Sequence, residues 1–203
     1  MRRLLLTLFA CLLPLAALAQ ESRHVTFELA GSYAMPTGPK AFSDYWNDGF
    51  GLSGGINYPL WRAARLSFLL DVNRFSLDDK SLLSDLELVS APALDGGDAT
   101  LICGVANISV LFGNRRRPDV APYIFGGAGV YHQSISDVTV GGNALTDDLP
   151  LVSETAVALN IGVGLDIPAG RRANLFVDAR YVIGMVAGTA TQLAPIRFGI
   201  RTN

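Results

Sequence analysis

Apolar and polar residues alternate along most of this chain. In LNIGVGLDIPAGRRANLFVDARY, residues 159–181, Leu159, Ile161, Val163, Leu165 and Ile167 share one face, while Asn160, Gly162, Gly164 and Asp166 share the other. After PAGRRA the alternation resumes, with Leu175, Val177, Ala179 and Tyr181 against Phe176, Asp178 and Arg180. A period of two with a short polar break predicts two strands and a turn. The same period recurs over 25–34, 50–58, 66–75, 100–112, 122–132 and 195–202, so the pattern predicts eight strands in all. Their lengths suit strands that cross a bilayer at a tilt. In 122–132 the row Tyr123, Phe125, Gly127, Gly129 and Tyr131 opposes Ile124, Gly126, Ala128, Val130 and His132. Taking the aromatic row as lipid-facing turns His132 inward and leaves Ser134 at the start of a loop.

Which face is inside decides the class of protein. Half of the 203 residues are hydrophobic and only 17% are charged, against roughly 25% in soluble domains. Past the N-terminus no apolar run approaches the roughly 18 residues of a membrane helix. The apolar surplus is spread in short alternating pieces, which favours an apolar face turned to lipid and a polar face turned in. Lipid cannot satisfy exposed backbone groups, so such a sheet must close. The expected fold is all-β: an eight-stranded antiparallel up-and-down transmembrane β-barrel, whose lumen side chains fill rather than a wide pore. Inward charges pair there: Glu28, Asp71, Asp166 and Asp178 with Arg180, Arg197 and Arg201, beside the inward Asn107.

The connections alternate in length. YPLWRAAR, FGNRRRPDVAP and PAGRRAN are short, 35–49, 76–98 and 133–153 are long, and 182–194 is intermediate. The short turns carry Arg62, Arg65, Arg115, Arg116, Arg117, Arg171 and Arg172, opposed by Asp119. The long loops carry eleven acidic residues, among them Asp44, Asp48, Asp78, Asp79, Asp147 and Asp148, against Lys40 and Lys80. A basic periplasmic rim and an acidic outer rim follow. Tyr33, Phe50, Phe75, Tyr131 and Tyr181 are placed at the outer interface, and Tyr58, Trp61, Phe112 and Tyr123 at the inner one.

MRRLLLTLFACLLPLAALAQ combines a basic start, an apolar stretch and Ala17-Leu18-Ala19, the pattern of a secretory signal peptide cleaved after Ala19. Residues 1–19 are therefore set apart from a barrel domain at 20–203. Of the 16 basic residues, loss of Arg2 and Arg3 leaves 14 against 18 acidic ones, a net charge of about −4, and nothing points to nucleic acid. Cys103 is the one cysteine beyond that segment, which excludes an intrachain disulfide. LLSDLELV in the second long loop fits either a short helix or a strand extension. The Asp78-Asp79 and Asp147-Asp148 pairs match no cation-binding loop, and the GGAGV and GVG glycines lack the strand–turn–helix setting of a phosphate loop. No cofactor or metal is expected.

SYAMPTG at the end of the first strand, PYIFGGAGVYH and LFVDARY resemble the small bacterial outer membrane β-barrels, the opacity-protein and OmpA/OmpX-like barrel domains. The resemblance spans residues 22–203. It implies residence in the outer membrane of a Gram-negative bacterium among lipid and lipopolysaccharide, and insertion by the barrel-assembly machinery. It also implies a structural, adhesive or surface-interaction role, with loops 35–49, 76–98 and 133–153 meeting any ligand. Chains of this kind usually end in an aromatic residue, whereas this one ends RFGIRTN. His132-Gln133-Ser134 resembles the His and Ser of outer-membrane lipid A deacylases, with Asp137, Asp147, Asp148 or Glu154 as the acid. A lipid A-modifying hydrolase is thus one alternative. A soluble periplasmic β-barrel lipid carrier, which needs Asp166, Asp178 and Arg180 in solvent, is another.

Overall fold

The computed structural model describes residues 25–61, 63–85, 94–112, 120–136, 138–140, 143–144, 153–170, 172–186 and 189–202. The segment read as a signal peptide, and Arg62, Arg115, Arg116, Arg117 and Arg171 of the short turns, lie outside them.

Eight long strands form the barrel: β1 (Thr26–Gly38), β2 (Gly49–Trp61), β3 (Ala64–Phe75), β4 (Ala99–Leu111), β5 (Ala121–Ile135), β6 (Glu154–Pro168), β7 (Ala173–Val186) and β8 (Thr189–Thr202). Each pairs antiparallel with its sequence neighbour, and β1 closes onto β8 from Glu28 opposite Arg201 to Gly38 opposite Gln192. The closed barrel leaves no edge, so every strand has a hydrogen-bonding partner on both sides. The strands run further than the alternation suggested at one end. Residues 182–194 are mostly strand: β7 and β8 stay paired to Val186 opposite Thr189, so this connection is short. Pro195 reads as a strand boundary, yet it sits opposite Ala34 inside the β1–β8 pairing.

Side-chain period and burial agree on seven strands. Phe27, Leu29, Phe50, Leu52, Leu70, Ile108, Ile161, Val163, Phe198 and Ile200 point outward and are exposed, Phe50 by 70%. Glu28, Ser53, Asn57, Asp71, Asn107, Asn160, Asp178 and Arg197 point inward and are buried. This is an apolar exterior around a polar core, the reverse of a soluble domain. Asp166, Asp178 and Arg180 are all buried, so the soluble-carrier alternative loses the exposed charges it needs.

β5 departs from the expected phase. Tyr123, Phe125 and Tyr131 face the lumen and are buried, while Ile124, Val130 and His132 face outward, and Ser134 is part of the strand. Both rows of β5 are apolar, so polarity alone does not set its phase. Space does. A β-carbon on Gly162 would lie 2.4 Å from the Phe125 ring, and one on Gly164 2.3 Å from that of Tyr123. These glycines stand opposite those rings in the β5–β6 register. The inward glycines of β6 are the room into which β5 places its aromatics. Tyr123 and Tyr131 are therefore not interface aromatics, and neither is Phe75, which is fully buried. Tyr33, Phe50, Trp61, Phe112 and Tyr181 do lie exposed on the exterior.

The long-loop end is covered. Helix α1 (Lys40–Tyr45) sets Phe42 into the barrel mouth, 5.4 Å from the Phe75 ring and 5.5 Å from Trp46. The Trp46 indole donates to the Gly97 carbonyl at 2.9 Å. Helix α2 (Asp79–Asp85) takes up the start of LLSDLELV. The Asp78 carboxylate accepts from the Ser81 hydroxyl at 2.9 Å, which holds that carboxyl below its ordinary range, and it caps α2 by accepting from the Lys80 backbone N–H at 3.2 Å. A short strand at Leu94–Gly96 pairs with Val138–Val140, joining the second and third long loops.

Candidate functional site: the charged barrel interior

The lumen has two layers. Towards the long loops it is apolar: Leu69, Phe75, Leu101, Val105, Tyr131, Val182 and Leu193 pack together under Phe42. Towards the short turns it is ionic. β1, β3, β6, β7 and β8 bring four carboxylates (Glu28, Asp71, Asp166, Asp178) to four arginines (Arg65, Arg180, Arg197, Arg201), all buried.

Arg197 grips Asp178 with two nitrogens, Nε to Oδ1 at 2.9 Å and Nη2 to Oδ2 at 2.6 Å. Its Nη1 donates to Ser53 Oγ at 3.0 Å and to Glu28 at 3.3 Å. Arg201 donates to Glu28 Oε2 through Nε at 3.0 Å and Nη2 at 2.8 Å, and its Nη1 donates to Asp166. Arg180 donates to Asp71 at 3.1 Å and to Asp178 at 3.4 Å. Neutral groups complete the set: Asn57 donates to Glu28 at 2.9 Å, Ser67 to Asn57 at 2.5 Å and Tyr123 to Asp178 at 3.1 Å. Closure of β1 onto β8 is what brings Glu28 to Arg201, although they lie 173 residues apart.

Arg65, placed on the basic rim by its position beside a short turn, is instead a member of this network. It follows the inward phase of β3 and donates to Asp166 at 2.8 Å. Below the guanidinium groups lie aromatic rings: Arg65 stands 4.6 Å from the Tyr123 centroid, Arg180 5.2 Å from Phe125 and Arg201 4.5 Å from Phe176. Each ring in turn occupies space left by a glycine, Phe176 beside Gly199 in the β7–β8 register. Delocalised guanidinium, weakly hydrated and able to stack, suits this setting better than ammonium would. The positive and negative groups balance, so the network stabilises a compact plug and leaves no net charge to attract a passing ion.

Gly164→Ala tests the glycine–ring match. Its added carbon would also sit 2.8 Å from Asp178 Cβ, and a stability loss of about 1–3 kcal/mol is expected. At Gly104 nothing lies within 4 Å of an added carbon, so Gly104→Ala is expected to leave denaturant unfolding nearly unchanged. Equal losses for both would refute the match.

The remaining candidates are His132 and Ser134. Both lie on the outward face of β5, away from the network. His132 Nδ1 hydrogen bonds Thr155 Oγ1 at 2.8 Å, the position an acid would occupy in a Ser/His/acid set. Glu154 stands opposite Gln133, on the inward row of β6. Asp137, Asp147 and Asp148 lie outside the described residues. Among the described residues no cluster of His, Cys, Asp or Glu is placed to hold a metal ion.

No protein-family model matches the chain, and no curated protein matches it by sequence. Solved structures do match. Neisserial surface protein A shares 18% identity, covering 88% of this chain and 96% of that one, with a TM-score of 0.58. A major outer membrane protein from Thermus thermophilus shares 12% identity over 88% of this chain and 99% of its own, with a TM-score of 0.55. The outer membrane protein OprG of Pseudomonas aeruginosa shares 11% identity over 89% and 96%, also with a TM-score of 0.55. With its closed strand order, apolar exterior and filled lumen, this chain has the fold of the small eight-stranded outer membrane β-barrels.

Proposed function

We propose that this protein is an exported, integral outer membrane protein of a Gram-negative bacterium with a structural or adhesive role and no enzymatic activity. The observation that carries the reading is the inside-out barrel: apolar side chains on the exterior of all eight strands around a lumen closed by ion pairs and an apolar layer. Such a lumen passes no solute, so the working surface is the long-loop end. There α1 sets Phe42 into the barrel mouth, and the segments around it carry Asp44, Asp48, Asp78 and Asp98. That end faces outward in this reading, with a surface ligand meeting loops 35–49, 76–98 and 133–153. Lipopolysaccharide surrounds the barrel, and the barrel-assembly machinery inserts it. The signal peptide read at residues 1–19 supports export.

Heat modifiability tests the membrane role. Residues 20–203, refolded in detergent, are expected to migrate differently on SDS gels before and after boiling. A chain that stays soluble without detergent and shows no shift would overturn the reading.

The hydrolase alternative has its own check. Lipid A is expected to be identical in cells carrying the wild-type protein, the Ser134→Ala variant or none. A change in acylation that disappears with Ser134→Ala would reverse the assignment.

A further inference from the structure

Six buried side-chain atoms find no hydrogen-bond partner among the described residues: both amide atoms of Asn160, both of Asn107, and the Nε atoms of Arg65 and Arg180. Buried polar atoms are almost always satisfied, by protein or by ordered water. These six are not scattered. Asn160 and Arg180 line a cavity of about 20 Å³, which also touches Asp71, Cys103 and Tyr131. Asn107, Arg65 and Arg180 line a second cavity of about 10 Å³, bordered by Tyr123 and Phe125. Every such atom therefore belongs to a residue that lines one of two small spaces, and Arg180 lines both.

We propose that the barrel interior contains two built-in water sites, one in each cavity, with Asn160 and Asn107 as their principal ligands and Arg180 between them. The volumes suit one water apiece, since a single site needs roughly 10–15 Å³ of accessible space. The chemistry selects water over an ion. A carboxamide offers a donor and an acceptor together, and water answers both. A bare cation would leave the amide nitrogen unanswered and would face the Arg180 guanidinium. An anion in the larger cavity would face Asp71. Each water accepts from an amide nitrogen or an arginine Nε and donates to an amide oxygen, with Asp71 a further acceptor beside the larger site. The two sites extend the ionic layer of the lumen towards the apolar layer, whose Tyr131 and Leu101 line the larger one.

X-ray hydroxyl-radical footprinting of the refolded barrel reads this directly, because radiolysis of a bound water oxidises the side chains beside it. Cys103 and Tyr131 are buried, yet rapid oxidation of both is expected in the folded protein. Asn160→Leu, which fills the space and removes the ligand, should lower that oxidation several-fold while leaving Tyr123 and Phe125 as reactive as before. Asn107→Leu should do the converse. Protection of Cys103 and Tyr131 in the wild type, or oxidation indifferent to Asn160→Leu, would overturn the proposal. The wild type alone supplies a second test if a leucine variant does not refold. Cross-relaxation between water and the Asn160 and Asn107 side-chain amide protons, with the sign of long-lived bound water, is expected, and its absence would refute the sites.

Discussion

Asp178→Ala is expected to destabilise the barrel by about 3–5 kcal/mol, the range for removing one partner of a buried ion pair. Asp178 is 1% exposed and accepts from Arg197, Arg180 and Tyr123. Without it the lumen holds four arginines against three carboxylates, and Arg197 loses its two-pronged partner. Urea unfolding of the lipid-reconstituted barrel, followed through the exposed Trp61, measures the loss. Asp178→Leu combined with Arg197→Met removes charge in balance and is expected to be milder than the sum of the two single changes, because the double variant leaves no guanidinium stranded. An Asp178→Ala variant within about 0.5 kcal/mol of wild type would mean that these charges are hydrated rather than paired.

The exterior gives the second large effect. Ile161 is 67% exposed near the middle of β6. On a water-facing surface Ile161→Arg would change stability by no more than about 0.5 kcal/mol. Against the bilayer midplane it is expected to cost about 2–4 kcal/mol. The same substitution thus has two predicted sizes, and unfolding in lipid vesicles distinguishes them. A neutral Ile161→Arg would remove the lipid-facing exterior on which the proposed function rests.

The two variants probe opposite faces of the same sheet, and both faces were visible in the residue pattern. Alternation in β1, β2, β3, β4, β6, β7 and β8 assigned the correct rows, because on those strands one row concentrates the polar side chains and the other is mainly apolar. Glu28, Asp71, Asn107, Asp166, Asp178, Arg180, Arg197 and Arg201 could be named from that rule alone. Arg65 obeys it too, sharing the phase of Ser67, Leu69 and Asp71. Its place beside a short turn disguised it as a rim residue, since a charge near a turn is usually solvated.

β5 shows where the rule stops. Its two rows are equally apolar, so a period of two is evident and its phase is not. The usable signal lay on another strand: Gly162 and Gly164 alternate inward on β6 and call for bulky neighbours. Reading that signal requires knowing that β5 and β6 are adjacent and in which register. The outward turn of His132 and Ser134 was hidden for the same reason.

What the sequence determined by itself is therefore the class of object. An apolar surplus divided into eight alternating segments, with no stretch long enough for a membrane helix, leaves a closed barrel with a polar interior as the solution that satisfies every backbone group in lipid. What the tertiary structure decided is which charge meets which. Pairing Glu28 with Arg201, or Arg65 with Asp166, depends on strand register and on the closure of β1 onto β8. It also settled the division of the lumen into an ionic layer and an apolar one. Contacts between residues more than a hundred positions apart follow from the shape of the closed sheet, and no local pattern encodes them.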